Sequence, residues 1–384
     1  MLFYLITFIL GFALDYAPRQ KSLTKQLRKV FVVWLYVFLC FGYMTGSDWR
    51  GYEVLYESIN YTQFFFNTEV GFYAVFRLFA SIISDYWLAV GILKCIYLYT
   101  LLRVVKKITP YWLSVVSLLM TGSLTFVLID NPLRFMMALI FVNIAIELIL
   151  EKKYILSAVL ISISVLFHNV SIFFFLIILF SIYAKKIAEI NQVVLGVLYI
   201  VVAFVSSQSV LIEGVRSSFV AQYLLYNEGM KDYSSYQVEG NAAFFTIGSL
   251  LGIAFFFLVI LSRDKVVGKY ENGKYVYGLA IVSMFLSRLL ILVPTGFRLN
   301  IPFGLFYMVY IVYLIRAKHV FMWIFIAYFC VSFPRSLWNA YVYIPYTNSI
   351  PYIINLKEHK SYTERSAYNI IAYRDRTGHD FTRE

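Results

Sequence analysis

Side chains that could do chemistry are concentrated at a few points of an otherwise apolar chain. The stretch GSDWRGYEVLYESI, residues 46–59, places an acid, a guanidinium and an aromatic hydroxyl close together in Asp48, Arg50 and Tyr52. Further points of this kind are Glu69, DNPLR at 130–134, FHNVS at 167–171, Arg288, and PTGFR at 294–298.

The residue types suit phosphate recognition and proton transfer. Arg presents its donors in a planar fork that fits phosphate oxygens, so two or three converging Arg side chains could hold a lipid-linked diphosphate without a metal. A nearby carboxylate or imidazole could take the proton from an attacking hydroxyl. Tyr and Trp can stack on sugar rings. The motifs of soluble enzymes, such as a P-loop or HExxH, do not occur in a usable context.

The elements that must position these residues are membrane helices. The 384 residues are 61% hydrophobic and 14% charged, whereas soluble domains carry about 25% charged residues. Apolar runs recur along the whole chain, which predicts an all-α, polytopic integral membrane protein. We predict about twelve transmembrane helices, at 1–14, 30–45, 86–102, 111–129, 133–150, 154–167, 170–184, 192–209, 241–262, 275–293, 297–315 and 319–333.

The distribution of Lys and Arg predicts the orientation. Segment 70–84 is apolar but short and carries Arg77, so we assign it to an amphipathic helix on the membrane surface. With the N-terminus outside, most Lys and Arg then fall in the inside connections. The net charge of +12 therefore reports topology, and we expect no nucleic-acid partner. We expect residues 1–333 to form the transmembrane domain, with an outer loop at about 208–240, and the tail 334–384 to fall on the same outer side.

This topology brings the polar points to one face of the membrane, the outer one. Each has a simpler alternative role. His168 could bond a backbone carbonyl, Asp130 or Asn131 could cap the following helix, and Arg134 could snorkel to the interface. Arg288 is harder to explain in that way, because an ionisable group within a span is costly and usually faces a cavity or a partner.

The order of these pieces resembles the EpsG-type and Wzy-type bacterial polysaccharide polymerases. The matching segments are GSDWRGYEVLY (46–56), EVGFY (69–73), the region 131–175 from NPLRF to FHNVSIFFF, and GFRLNIPFGL (296–305). Val70 stands where that family usually has Pro, Phe135 stands where it has Gln, and the F-H-x-S/T motif is one residue longer here. These departures leave Asp48, Arg134 and His168 in place.

The resemblance implies a GT-C-like helical glycosyltransferase in the bacterial inner membrane, with its active site facing the periplasm and no cofactor. The substrates would be undecaprenyl-diphosphate-linked glycans, as donor and as acceptor, for O-antigen, capsule or exopolysaccharide. Membrane lipid and a chain-length regulator protein are the further partners. Catalytic candidates are His168 and Asp48, with Glu69 third. Arg134, Arg288 and Arg298 would bind the diphosphate, and the candidate substrate-binding residues are Arg50, Tyr52, Asp130 and Asn169.

Other functions remain open from the sequence. A flippase or transporter of lipid-linked oligosaccharides should show two related halves and charges through the centres of its spans. An O-antigen ligase should have one much larger outer loop, and an acyltransferase is a further alternative. Asp48 itself could act as a base, contact a sugar, or hold an Arg or an acceptor hydroxyl.

Overall fold

The computed structural model describes residues 1–18, 21–60, 69–208, 245–292, 296–317, 322–339, 343–344 and 346–377. The predicted outer loop at about 208–240 lies outside these described residues, except for residue 208. The described chain is all-α, as predicted. It adds one short antiparallel bridge, in which β1 (Gly42–Tyr43) pairs with β2 (Thr347–Asn348).

The chain forms two compact units. The first comprises Met1–Glu147, Ser162–His168 and Ile326–Glu384, and the second comprises Leu148–Ile161 and Asn169–Phe325. The helices of the first unit are α1 Leu2–Tyr16, α2 Ser22–Cys40, α3 Trp49–Ser58, α4 Val70–Ile82, α5 Tyr86–Ile108, α6 Trp112–Leu119, α7 Ser123–Thr125 and most of α8 Leu133–Leu150.

Three further helices lie near the C-terminus, α16 Met322–Asn339, α17 Ile350–Ile353 and α18 Tyr362–Thr377. Helix α9, Tyr154–Val165, lies mainly in the second unit. The rest of the second unit consists of α10 Phe175–Ile187, α11 Gln192–Val205, α12 Ile247–Leu261, α13 Arg263–Val267, α14 Gly273–Leu289 and α15 Ile301–Arg316. Short 3₁₀ turns cover Asn169–Phe174, Leu290–Leu292 and Gly296–Asn300.

Four helical stretches in the described residues are long and apolar enough to cross a membrane. They are Tyr86–Ile108, Leu133–Leu150, Asn169–Ile187 and Gly296–Arg316. A fifth candidate is the pair Trp112–Leu119 and Ser123–Asp130, bent by 69°. These correspond to five of the predicted spans. Other predicted spans form apolar helices that are shorter, such as Leu2–Tyr16 and Gln192–Val205.

Local sequence explains where several helices begin and how closely they pack. Asp85 caps α5, its side chain accepting from Leu88 N at 2.7 Å. Pro302 lies in the first turn of α15, where its missing N–H has no helical partner to lose. In the second unit, a Cβ at Gly278 would overlap the carbonyl of Ala184, so only glycine lets α14 approach α10 this closely.

The chain between α7 and α8 is irregular, and it carries the start of the predicted site segment DNPLR. Residues Phe126–Asp130 form a π-helical turn, a feature that is frequent at functional sites. Asn131 then adopts a left-handed conformation at φ 71° and is buried. Asn tolerates this region better than most residues. The turn ends the π-helical stretch, and α8 begins two residues later at Leu133 with Arg134 in its first turn.

Candidate functional site

A cluster of ionisable groups in the first unit centres on Glu69, at the start of α4. Its Oε2 accepts a hydrogen bond from Arg134 Nη1 at 2.7 Å, and its Oε1 lies 2.7 Å from His168 Nδ1. Arg134 Nε donates to the Tyr52 hydroxyl at 3.1 Å. We call these four residues, Tyr52, Glu69, Arg134 and His168, the Glu69 cluster. All four were predicted as site residues from the sequence.

Burial and charge define the state of the Glu69 carboxylate. Its side chain is 6% exposed. Burial by itself raises the pKa of Glu69, but the hydrogen bond to His168 and the charge of Arg134 outweigh it and hold the pKa below its ordinary value. Glu69 is therefore ionised at neutral pH and can only accept hydrogen bonds.

The ionised carboxylate fixes the tautomer of His168. Because Glu69 Oε1 can only accept, Nδ1 of His168 must carry the proton in that bond. Nε2 is then the ring nitrogen that can take a proton. A carboxylate that orients an imidazole in this way is the arrangement found in hydrolytic triads. The geometry thus suits His168 as a base and Glu69 as the group that positions it.

The main chain holds the cluster in place. Glu69 itself adopts a left-handed conformation at φ 60°, which is uncommon for a residue other than glycine and occurs preferentially at functional sites. Two residues later, Gly71 N donates to Leu166 O at 2.9 Å, which ties the start of α4 to the end of α9. The ring of Phe135 packs edge-on to His168 at 5.6 Å. Phe135, which stands where the family described above usually has Gln, therefore packs against the imidazole.

Arg134 keeps donors that the cluster does not use. Nε and one hydrogen of Nη1 bond to Tyr52 and Glu69, and the guanidinium carries five N–H groups in all. The side chain is 44% exposed. Tyr52 packs against Phe72 and Phe76, with ring centroids 5.6 Å and 6.3 Å away. Burial raises the pKa of Tyr52, so its hydroxyl stays neutral.

Asp48 and Asp130 meet at Ser47. The Ser47 hydroxyl lies 3.0 Å from Asp48 Oδ1 and 3.1 Å from Asp130 Oδ1, and Ser47 N donates to the same Asp130 oxygen at 3.1 Å. Gly46 makes this approach possible: at φ 86° it is left-handed, and a Cβ there would overlap the Asp130 carbonyl. Arg50 donates to Ser47 O at 3.3 Å and lies over the Trp49 ring at 5.1 Å. These predicted residues therefore form a second polar group in the same unit.

The remaining predicted residues, Arg288, Arg298 and Asn169, belong to the second unit. Arg288 is buried and donates to Tyr199 OH at 3.2 Å, to Ser249 Oγ at 3.1 Å and to the Ser249 carbonyl. Within the described residues it makes no ion pair with a carboxylate. Arg298 is half-buried in the turn Gly296–Asn300, and Asn169 opens the turn Asn169–Phe174.

Arg288 also lines a cavity of about 390 Å³ within the second unit. Polar groups of Ser283, Asn300 and Tyr307 share this lining. Three of the lining residues are glycines, Gly248, Gly252 and Gly304. A buried guanidinium facing a cavity is suited to bind an anionic group.

Sequence reasoning missed one buried ion pair of the first unit. Arg365 Nη1 lies 2.6 Å from Glu53 Oε1 and 2.7 Å from Oε2, and Trp87 Nε1 donates to Glu53 at 3.1 Å. The spacing of Trp49, Glu53 and Tyr56 places them on one face of α3 and could have indicated a buried Glu53. Nothing in the sequence pointed to Arg365. Among the described residues, no three His, Cys, Asp or Glu side chains are grouped to hold a metal ion.

Comparison with known proteins gives one match. The sequence matches the model of the EpsG family over residues 25–352, a range that contains every predicted site residue. No curated protein and no solved structure matches the chain.

Proposed function

The chain belongs to the EpsG family, a family of polysaccharide polymerase type, and on this premise we propose that it is a membrane glycosyltransferase that polymerises lipid-linked oligosaccharide repeat units. The donor is a glycan chain on undecaprenyl diphosphate, and the acceptor is the non-reducing sugar of a second lipid-linked repeat. The observation that carries the proposal is the Glu69 cluster, in which a buried carboxylate orients His168 beside a half-exposed guanidinium.

In the proposed reaction an acceptor hydroxyl attacks the anomeric carbon of the donor. The new bond joins that carbon to the acceptor oxygen, and the bond between the carbon and the phosphate oxygen breaks. The hydroxyl proton goes to Nε2 of His168, and the bonding electrons leave with the lipid diphosphate. A base with its tautomer already fixed needs no reorientation before proton transfer.

Arginine side chains stabilise the departing diphosphate in this proposal. Arg134 is supported by the donors that remain after its bonds to Glu69 and Tyr52. Arg288 is supported by its burial without a carboxylate partner among the described residues and by its place in the cavity of the second unit. Arg298 is assigned on its position in the motif GFRLN alone.

The other candidate residues have supporting roles in binding. We assign Asp48, Arg50, Asp130 and Asn169 to contacts with the glycans, and Tyr52 to the orientation of Arg134. Asp48 remains the second candidate for the base. Its carboxylate shares the Ser47 hydroxyl with Asp130, which favours a binding role over proton transfer.

We also propose the finer architecture that the sequence predicted. It has about twelve spans, several of them shorter than the usual ~20 residues, in a GT-C-like arrangement in the bacterial inner membrane. The Glu69 cluster faces the periplasm, and a chain-length regulator acts as partner. Shorter apolar helices such as Ile247–Leu261 are consistent with further spans beyond the long ones.

Gene deletion followed by electrophoresis of the surface glycan tests the proposed function. We expect the polymer ladder to disappear while a single-repeat band remains, because the repeat is still made and exported. Loss of every repeat would instead indicate a flippase or a ligase. Complementation with Arg134→Ala should not restore the ladder. Arg103→Ala, which removes another exposed guanidinium that is paired with a carboxylate, Glu147, should restore it.

A further inference from the structure

The C-terminal helix α18 is attached to α3 by an ion pair that the proposed reaction does not use. The Arg365 and Glu53 side chains are 9% and 6% exposed, so the pair is shielded from water. The guanidinium also lies over the Trp49 ring at 5.7 Å. Arg365 falls outside residues 25–352, the range that matches the family, so this contact is not part of what the match implies.

Other contacts attach the same C-terminal segment, residues 346–377, to the start of the candidate site. The β1–β2 bridge pairs Tyr43 with Thr347. The Tyr43 hydroxyl lies 2.8 Å from His359 Nδ1, and its ring stacks on Tyr352 at 4.1 Å. The Tyr362 hydroxyl donates to Arg50 O at 3.4 Å. The segment therefore packs along the chain from β1 into α3.

Helix α3 is held by charged groups on two sides. Tyr52 contacts Arg134, and the next residue, Glu53, contacts Arg365. Consecutive residues of a helix point about 100° apart. The two contacts together therefore fix the rotation of α3 about its axis. Loss of Arg365 would remove the ion pair on the Glu53 side of this ten-residue helix and leave the Trp87 bond to Glu53 there.

We propose that Arg365 is a positioning residue for the transferase: through Glu53 it fixes α3 so that the Tyr52 hydroxyl holds the Arg134 guanidinium in its working orientation. This inference rests on the proposed function. It makes the C-terminal helix necessary for polymerisation, although no hydrogen bond or ion pair among the described residues joins this helix to Glu69, Arg134 or His168. The structure thereby gives the tail a role beyond stability.

The test separates positioning from folding with matched variants in the full-length protein. Glu53→Gln with Arg365→Met removes both charges at once, so no buried charge is left unpaired and the protein should accumulate normally. The amide oxygen introduced by Glu53→Gln can still accept the bond from Trp87. Arg365→Lys keeps the charge, and Arg374→Met removes an exposed Arg of the same helix as a control. Protein level and size-exclusion profile in detergent report folding, and the surface-glycan ladder reports polymerisation.

We expect the double variant to accumulate at the wild-type level and to make polymer at least about tenfold less efficiently, because a small misplacement of a site group costs one to two orders of magnitude. Arg365→Lys should retain most of the ladder, and the ladder of Arg374→Met should match that of wild type. A double variant that folds and polymerises normally would overturn the inference, as would failure of Arg365→Lys to make more polymer than the double variant at equal protein level.

The same experiment distinguishes this inference from the function on which it rests. If Arg134→Ala removes the ladder while the double variant retains it, the positioning role alone is wrong. If Arg134→Ala retains the ladder, the assignment of the Glu69 cluster is wrong, whatever the double variant does.

Discussion

Replacing Glu69 with Gln tests the internal logic of the candidate site. The change preserves shape but removes the charge and one of the two acceptor oxygens. In the wild type, the Glu69 carboxylate accepts hydrogen bonds from both Arg134 and His168. Gln offers a single acceptor oxygen and an amide that donates, so at least one of these bonds must be lost or reversed.

The expected size of the effect follows from the strength of such bonds. A hydrogen bond to a charged group contributes about 1.5–3 kcal/mol, which corresponds to about 10- to 150-fold in rate if it operates fully in the transition state. The effect on folding should be smaller. The Arg134 side chain is 44% exposed, so its guanidinium can be rehydrated when the carboxylate is lost.

The assay compares polymer formation and protein level in complemented deletion cells. Glu69→Gln should lower the rate of polymer formation by about 10- to 150-fold, at close to the wild-type protein level. Glu57→Gln, an exposed Glu of the same region, should have no effect and serves as the control. Wild-type polymer from Glu69→Gln would refute the view that this carboxylate orients His168. Loss of the protein itself would show that Glu69 acts mainly in folding.

Two further predictions concern the stability of the first unit. Gly46→Ala should destabilise the detergent-solubilised protein, because a left-handed backbone costs an Ala about 1–2 kcal/mol and the added Cβ overlaps the Asp130 carbonyl. A melting temperature equal to that of wild type would contradict this prediction. Gly51→Ala, in α3 with open space around it, is the control and should be neutral or slightly stabilising. Because folding lowers the pKa of Glu69 below its ordinary value of 4.5, the ionised carboxylate stabilises the folded state. This stabilisation is complete above pH 4.5 and is lost as the pH falls through the lower folded-state pKa. The melting temperature of wild type should therefore fall more steeply than that of Glu69→Gln when the pH is lowered below about 5, and parallel pH profiles would contradict this linkage.

Apolar patterning was sufficient to predict most of the helices. Leu133–Leu150 begins and ends where the sequence indicated, because Pro132 precedes an uninterrupted apolar run and charged residues follow it. The second helix was predicted from residue 30 and in fact begins at Ser22. Its first turns are polar and basic, so hydropathy does not detect them although the backbone is helical there.

The sequence indicated the residues of the Glu69 cluster more readily than the contacts between them. Motif order and the predicted topology placed Tyr52, Glu69, Arg134 and His168 among the site candidates, and the structure brings these four together. Their pairing depends on how α4, α8 and the end of α9 meet, and hydropathy contains no information on that. Glu69 was therefore ranked as a third candidate base, because its burial between two donors appears only in the folded chain.

Long-range contacts of the C-terminal segment could not be predicted at all. Arg365 lies in a polar helix that reads as an exposed tail, and the partner Glu53 is 312 residues away in sequence. Local composition constrains helices and loops, whereas such a pair depends on tertiary packing. The same holds for the cavity around Arg288, where the sequence indicated a costly charge but not the glycines that line the space beside it.

Reconstitution tests the central claim most directly. Purified protein in liposomes is supplied with an undecaprenyl-diphosphate-linked repeat unit as the only substrate, and products are separated by size. The account predicts chains of two or more repeats with release of undecaprenyl diphosphate from the wild type, and none from His168→Ala at equal protein amount. Equal polymer from His168→Ala, or a wild-type protein that moves the lipid-linked repeat across the bilayer without joining it to another, would contradict it.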